Sequence, residues 1–170
     1  MSKICPLTDE PVLYADCLEC EDRKKCSETK AEKPTFALLI VGSRSITDEE
    51  FVEKKIDKMI SQIRDRYNIL IVSGGAGGVD SIAEKYARKN GMEMRVMPAD
   101  WKRYGRSAGY IRNREMHEYI SGFERRGVIA VWDGISRGTA QNFKLAKEFK
   151  NEIKVIRYRR KPDETQRSTG

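Results

Sequence analysis

Five short apolar runs recur along the chain, at 36–41, 69–73, 94–97, 128–132 and 153–158. Each is nearly continuous in apolar character rather than alternating. That is the pattern of parallel strands buried on both faces. Between them the period changes to that of a helix. Val52, Ile56, Ile60 and Ile63 lie on one stripe, preceded by Thr47 and Glu50 at the spacing of a capping box. Val79, Ile82, Ala83, Tyr86 and Ala87 form a second stripe, and residues 111–122 and 139–150 are two further helical segments. Strands alternating with helices predict an α/β domain, a doubly wound parallel sheet of about five strands in the Rossmann manner.

The first part of the chain departs from this pattern. Residues 1–30 hold all four cysteines, Cys5, Cys17, Cys20 and Cys26, in the spacing C-x11-C-x2-C-x5-C. The segment is too short and too charged to fold on an apolar core. A C-x2-C pair supplies two tetrahedral thiolate ligands from one turn, so a structural zinc knuckle is expected, with iron–sulfur, free thiols or disulfides as the alternatives. The start of the chain lacks the apolar stretch of a secretory signal, and no run is long enough to cross a bilayer. A reducing cytoplasmic setting without membrane contact is therefore expected. Residues 27–34 read as a linker, 35–158 as the α/β domain, and 159–170 as a disordered basic tail.

The chain carries 33 basic and 26 acidic side chains, a formal charge of +7. Residues 1–33 contribute −2, residues 34–153 contribute +5, and residues 154–170 contribute +4. The surplus is shared between the α/β domain and the tail. It fits a phosphate-bearing partner without requiring nucleic acid.

In a doubly wound sheet the ligand crevice lies beyond the carboxyl ends of the strands. The residues found there are small, polar or charged. Gly42, Ser43 and Arg44 follow the first strand, and Arg44 is suited to a bidentate phosphate contact. Ser73-Gly74-Gly75-Ala76-Gly77-Gly78-Val79-Asp80 follows the second, with four glycines in five residues opening a helix. Such a turn either lets backbone N–H groups face an anion or is a tight connection without a ligand. It is neither G-x-G-x-x-G nor a Walker A loop. Asp133 and Ser136-x-Gly138-Thr139 follow the fourth strand and offer a second small-residue helix start.

Asp80, Asp100 and Asp133 are the candidate catalytic carboxylates, each with a helix-dipole role as its alternative. Trp101 either stacks on a base or packs as a cover. Residues 102–114 hold Lys102, Arg103, Arg106, Arg112 and Arg114 and no acid. They read as a basic loop above the crevice running into a helix. His117, the one histidine, reads as a surface residue.

Val41-Gly42-Ser43-Arg44, the Ser73 to Asp80 run, Ala108-Gly109-x-x-Arg112-Asn113 and Asp133-Gly134-x-Ser136-x-Gly138-Thr139 together resemble the SLOG superfamily of nucleotide-binding Rossmann-like proteins, in its YspA-like (YpsA-related) branch. The first two segments are also similar to DNA-processing protein A. The last is similar to the Gly-Thr signature of LOG-type phosphoribohydrolases, with Asn142 where those enzymes carry a glutamate. The resemblance implies a site for a nucleotide or ADP-ribose-like ligand formed by the residues named, with Trp101 and Arg106 added from the crevice argument. A binding or sensor role leads. A nucleotide-hydrolysing enzyme of phosphoribohydrolase type and a single-stranded nucleic-acid binder are the alternatives, and a homodimer is in keeping with related domains.

Overall fold

The structure is a computed structural model that describes residues 33–159 in full and, before them, the backbone of two short strands. These strands, β1 (Ser2–Ile4) and β2 (Pro11–Leu13), pair antiparallel with Lys3 opposite Val12. They lie in a unit spanning Met1–Lys33, separate from the larger unit Pro34–Gly170. The four cysteines, the residues expected to form most of the linker, and residues 160–170 of the expected tail lie outside the described residues.

The larger unit is a five-stranded parallel sheet in the order β5-β4-β3-β6-β7. Its strands are β3 (Thr35–Gly42), β4 (Asn68–Ser73), β5 (Glu93–Val96), β6 (Arg125–Trp132) and β7 (Ile153–Arg157). The chain starts at the middle strand, winds outward through β4 to β5, then crosses back to β6 and β7. The order therefore reverses between β3 and β6, and a crevice opens at that switch point.

Helices cover both faces. Leu38 and Ile40 of β3, with Ile71 of β4 and Ile129 of β6, pack under α1 (Glu49–Ile60) and α2 (Val79–Lys89). Ala37, Leu39 and Val41 point the other way, with Val72 and Ala130, toward Met116 and Ile120 of α4 (Ala108–Ser121) and Phe143 of α5 (Arg137–Glu148). Each central strand is thus apolar on both faces, which is why it reads as a continuous run. The edge strands do not follow that expectation: every residue of β5 and β7 is partly or fully exposed, because each has only one strand neighbour.

Two local expectations are corrected. The cap of α1 is Asp48, not Thr47: its carboxylate accepts from the Phe51 amide at 3.0 Å. An ionised acceptor placed against the helix N-terminus is at least as good a cap as a hydroxyl. The basic stretch 102–114 is not a loop. It comprises α3 (Trp101–Tyr104), a 3-10 turn (Gly105–Ser107) and the first half of α4. Asp100 starts α3 by accepting from the Arg103 amide, and Gly105, at φ +50°, turns the chain toward α4.

Candidate functional site

The carboxyl ends of β3, β4 and β6 open into two adjoining cavities. The first holds about 410 Å3 and is lined by Gly42, Arg44, Ser45 and Asp80 below, by Trp101, Arg106, Tyr110, Arg112 and Asn113 from the α3–α4 segment, and by Asp133, Ser136, Gly138 and Thr139 from the start of α5. The second, about 390 Å3, is walled by Gly74, Gly75, Gly77, Pro98 and Ala99. Arg44, Ala76, Trp101 and Arg112 line both. The first cavity is mostly polar in its residues, and the second presents glycine backbone with a proline and an alanine.

The glycine run is shaped by close approach. Gly78 has φ +73°, and a side chain there would stand 2.6 Å from the Ser43 carbonyl oxygen. Only glycine combines that conformation with that contact. The α2 start is therefore pressed against the Gly42-Ser43-Arg44 turn. Gly74 lies under the Arg112 guanidinium, which donates to the Gly74 carbonyl.

A buried ion pair stands between the cavities. Asp80 and Arg112 have side chains 5% and 8% exposed, with Oδ2 and Nη1 3.7 Å apart. Asp80 also accepts from the Ala76 amide at 3.4 Å, which folds the loop over its own helix start. Burial pushes the Asp80 carboxyl up to about 6, against the pull of Arg112 and the Ala76 amide. Burial likewise lowers Arg112 from its ordinary value, with Asp80 opposing.

Asp133 is set differently. Burial pushes its carboxyl up, but hydrogen bonds from the Ser136 amide, Ser45, the Ile135 amide and Ser43 outweigh it and hold the group below the usual carboxylate range. The Ser136 amide stands 2.8 Å and the Ser45 hydroxyl 2.7 Å from it. Ser136 caps α5 through the Thr139 amide, and Ser43 and Thr139 hydroxyls approach at 3.4 Å. Arg44 and Arg106 make no ion pair among the described residues; Arg44 instead lies 5.7 Å from the Trp101 ring centre.

Residues 36–104 match the sequence model of the YspA, cpYpsA-related SLOG family. This part of the chain is similar to that SLOG family. The chain is also 36% identical over 85 residues to the Gene 61 protein of Mycobacterium phage D29, a stretch amounting to 46% of this chain and 66% of the phage protein. A crystal structure described as a predicted subunit of a tRNA methyltransferase from Methanocaldococcus jannaschii is similar at 12% identity and a TM-score of 0.34, over 73% of this chain and 68% of that one. The SLOG match takes in Arg44, the glycine run and Trp101. Arg106, Arg112, Asn113 and the α5 start lie beyond it.

The sequence-named residues in and around the matched segment fall into three groups. Most line one or both cavities. Ser43, Ser73 and Gly78 sit behind the lining: Ser43 and Ser73 are fully buried, and the Ser73 hydroxyl donates to Glu84 at 2.9 Å. Asp100 lines neither cavity, and its carboxylate is engaged in capping α3. Asn113 reaches the lining while its amide is held by Gly138 and Gln141 from α5 and its oxygen by Arg112.

His117 is a correction. It is fully buried, not on the surface. Its Nε2 faces Asn142 Oδ1 at 3.2 Å, and its Nδ1 faces the Asn151 amide at 3.2 Å. Asn142 uses its NH2 on the Gly138 carbonyl at 2.9 Å, so its oxygen accepts and His117 carries the proton on Nε2. Burial lowers the His117 pKa to about 4. Tyr110, Gln141 and Asn142 also line the first cavity, although they are not among the residues that the strand ends single out. Gln141 and Asn142 lie three and four residues past Gly138, and Tyr110 lies three before Asn113, and that helical spacing is the signal that could have found them. Among the described residues, no group of three metal-ligating acids, cysteines or histidines comes together.

Proposed function

We propose that this domain binds a nucleotide or nucleotide-derived ligand at the carboxyl edge of its sheet, as a binding or sensing module. The observation that carries the reading is the pairing of Arg44 and Arg106, which have no carboxylate partner among the described residues, with the exposed Trp101 face around one cleft. Arginine forks suit phosphate, and an aromatic wall suits a base. The capped start of α5 adds backbone N–H groups and the positive end of a helix. Two adjoining cavities that share Arg44 and Arg112 fit a two-part ligand of ADP-ribose type, with its phosphates at the junction and a group in each lobe.

Titration calorimetry with AMP, ATP, NAD and ADP-ribose tests this. Saturable binding by one of them, weakened in Arg44→Ala, supports the reading. No binding by any at millimolar concentration contradicts it.

Hydrolysis of the ligand is a second reading, favoured by Asp80 alone. A buried carboxyl in the cleft with a pKa near 6 has the range of a general acid or base. The glutamate position of LOG-type enzymes is here Asn142, an amide committed to His117 and Gly138. Release of free base from a nucleoside monophosphate, absent in Asp80→Asn, supports turnover, and intact nucleotide after long incubation contradicts it. For the cysteine segment we propose a structural zinc held by Cys5, Cys17, Cys20 and Cys26, on the thiol count and the C-x2-C pair.

A further inference from the structure

We propose that Asp80 is a built-in counter-ion that gives way to the ligand: an anionic group docking on Arg112 is accompanied by uptake of a proton by the Asp80 carboxylate. The proposal rests on the reading of this cleft as a site for a phosphate-bearing ligand.

Arg112 is the cation common to both cavities that is itself buried. Its Nε donates to Asn113 Oδ1 at 3.0 Å and its Nη1 to the Gly74 carbonyl. Nη2 has no hydrogen bond to protein among the described residues, and the side chain borders open cleft on two sides. The guanidinium is thus held rigidly by two neutral acceptors, with one edge left for an incoming anion. Its charge is balanced by Asp80, 3.7 Å away.

A phosphate on the open edge would place two anions on one buried cation. The charged groups around the pair offset that excess only in part. Glu84, one turn along α2, adds negative charge and is held by Ser73 and Arg88. Arg44, from the turn after β3, is the other cation that faces Arg112. Like charges sharing a desolvated site do not both stay ionised. Asp80 cannot swing away, because it is buried and bonded to the Ala76 amide. Protonation is the remaining route. It preserves the loop, since a neutral carboxyl still accepts from Ala76 through its carbonyl oxygen. Burial already holds Asp80 near 6, so a neighbouring anion has only a short distance left to move it past neutrality.

Calorimetry with ADP-ribose and NAD tests this, because their diphosphates stay fully ionised across neutral pH and take up no proton themselves. Titrations at pH 7 in two buffers of different ionisation enthalpy give the proton count. Uptake approaching one proton is expected, with affinity falling by up to about tenfold per pH unit above pH 7. Asp80→Asn should bind with no proton uptake and a flat pH profile. If that variant does not fold, a protonated-carboxyl band appearing in the infrared difference spectrum of the wild-type protein on binding supplies the same answer. Binding without proton uptake, or uptake that persists in Asp80→Asn, overturns the proposal and leaves the ligand reading standing. Failure of both ligands to bind overturns the ligand reading, and the proposal with it.

Discussion

His117 Nε2 and Asn142 Oδ1 meet at 3.2 Å inside the sheet-facing side of two helices. The contact joins α4 to α5 just behind the cleft. It continues through Asn151, whose oxygen accepts from Arg126 at 2.7 Å and from Ser121 at 3.3 Å. Every buried side-chain polar atom among the described residues has a partner. A neutral imidazole completes this network. A charged one would place a second N–H against the Asn151 NH2 group.

His117→Ala should cost about 2–4 kcal/mol at pH 7, because it opens a void and strands two buried amides. The His117 pKa is lowered, so its contribution is present above about pH 6.5 and is lost as the pH falls toward 4. Urea denaturation should therefore show the gap between His117→Ala and wild type narrowing by roughly 3 kcal/mol from pH 7 to pH 4.

Asp80 acts with the opposite sign. Its pKa is raised from 3.8 to about 6, so its neutral form adds stability below pH 4 that is lost as the pH rises through 6. Relative to Asp80→Asn, the wild type should lose roughly 3 kcal/mol between pH 4 and pH 7. The two windows overlap and largely cancel in the native protein. Asp80→Asn should thus be more acid-sensitive than wild type in the same denaturation series.

Glycines in the site separate folding from binding. A methyl group placed on Gly77 or Gly138 would meet nothing within 4 Å, whereas Gly78 has φ +73° and backbone at 2.6 Å. Gly77→Ala and Gly138→Ala should fold with near-native melting temperatures but weaken ligand binding by intruding on the cleft. Gly78→Ala should destabilise the domain by more than about 1 kcal/mol. Thermal melts beside ligand titrations check all three.

Metal content tests the cysteine segment. One zinc per chain is expected, with all four thiols unreactive until a chelator is added. Four freely titrating thiols and no metal would contradict the zinc assignment.

The sheet was legible because the central strands are covered on both faces, so Leu38–Leu39–Ile40 and Ile69–Leu70–Ile71 stay apolar at every position. The crevice followed from topology, which brings the residues after β3, β4 and β6 to one edge. The fate of individual side chains was not legible. His117 sits on a helix whose polar and apolar positions are intermixed, and its burial depends on Asn142 and Asn151, 25 and 34 residues away. The basic 102–114 stretch conceals the body of α3 and the start of α4, because charge says nothing about caps such as Asp100. Nor does sequence spacing show that Arg112 faces Asp80 rather than solvent.

The central claim is that Arg44 and Arg106 hold a phosphate-bearing ligand in this cleft. Calorimetric titration of the wild type, Arg44→Ala and Arg106→Ala with AMP, ATP, NAD and ADP-ribose tests it most directly. A charged hydrogen bond is worth about 1.5–3 kcal/mol, so each substitution should weaken binding roughly 10- to 100-fold while the melting temperature stays near native. Equal affinity in all three proteins, or no binding by the wild type at millimolar ligand, would contradict the claim.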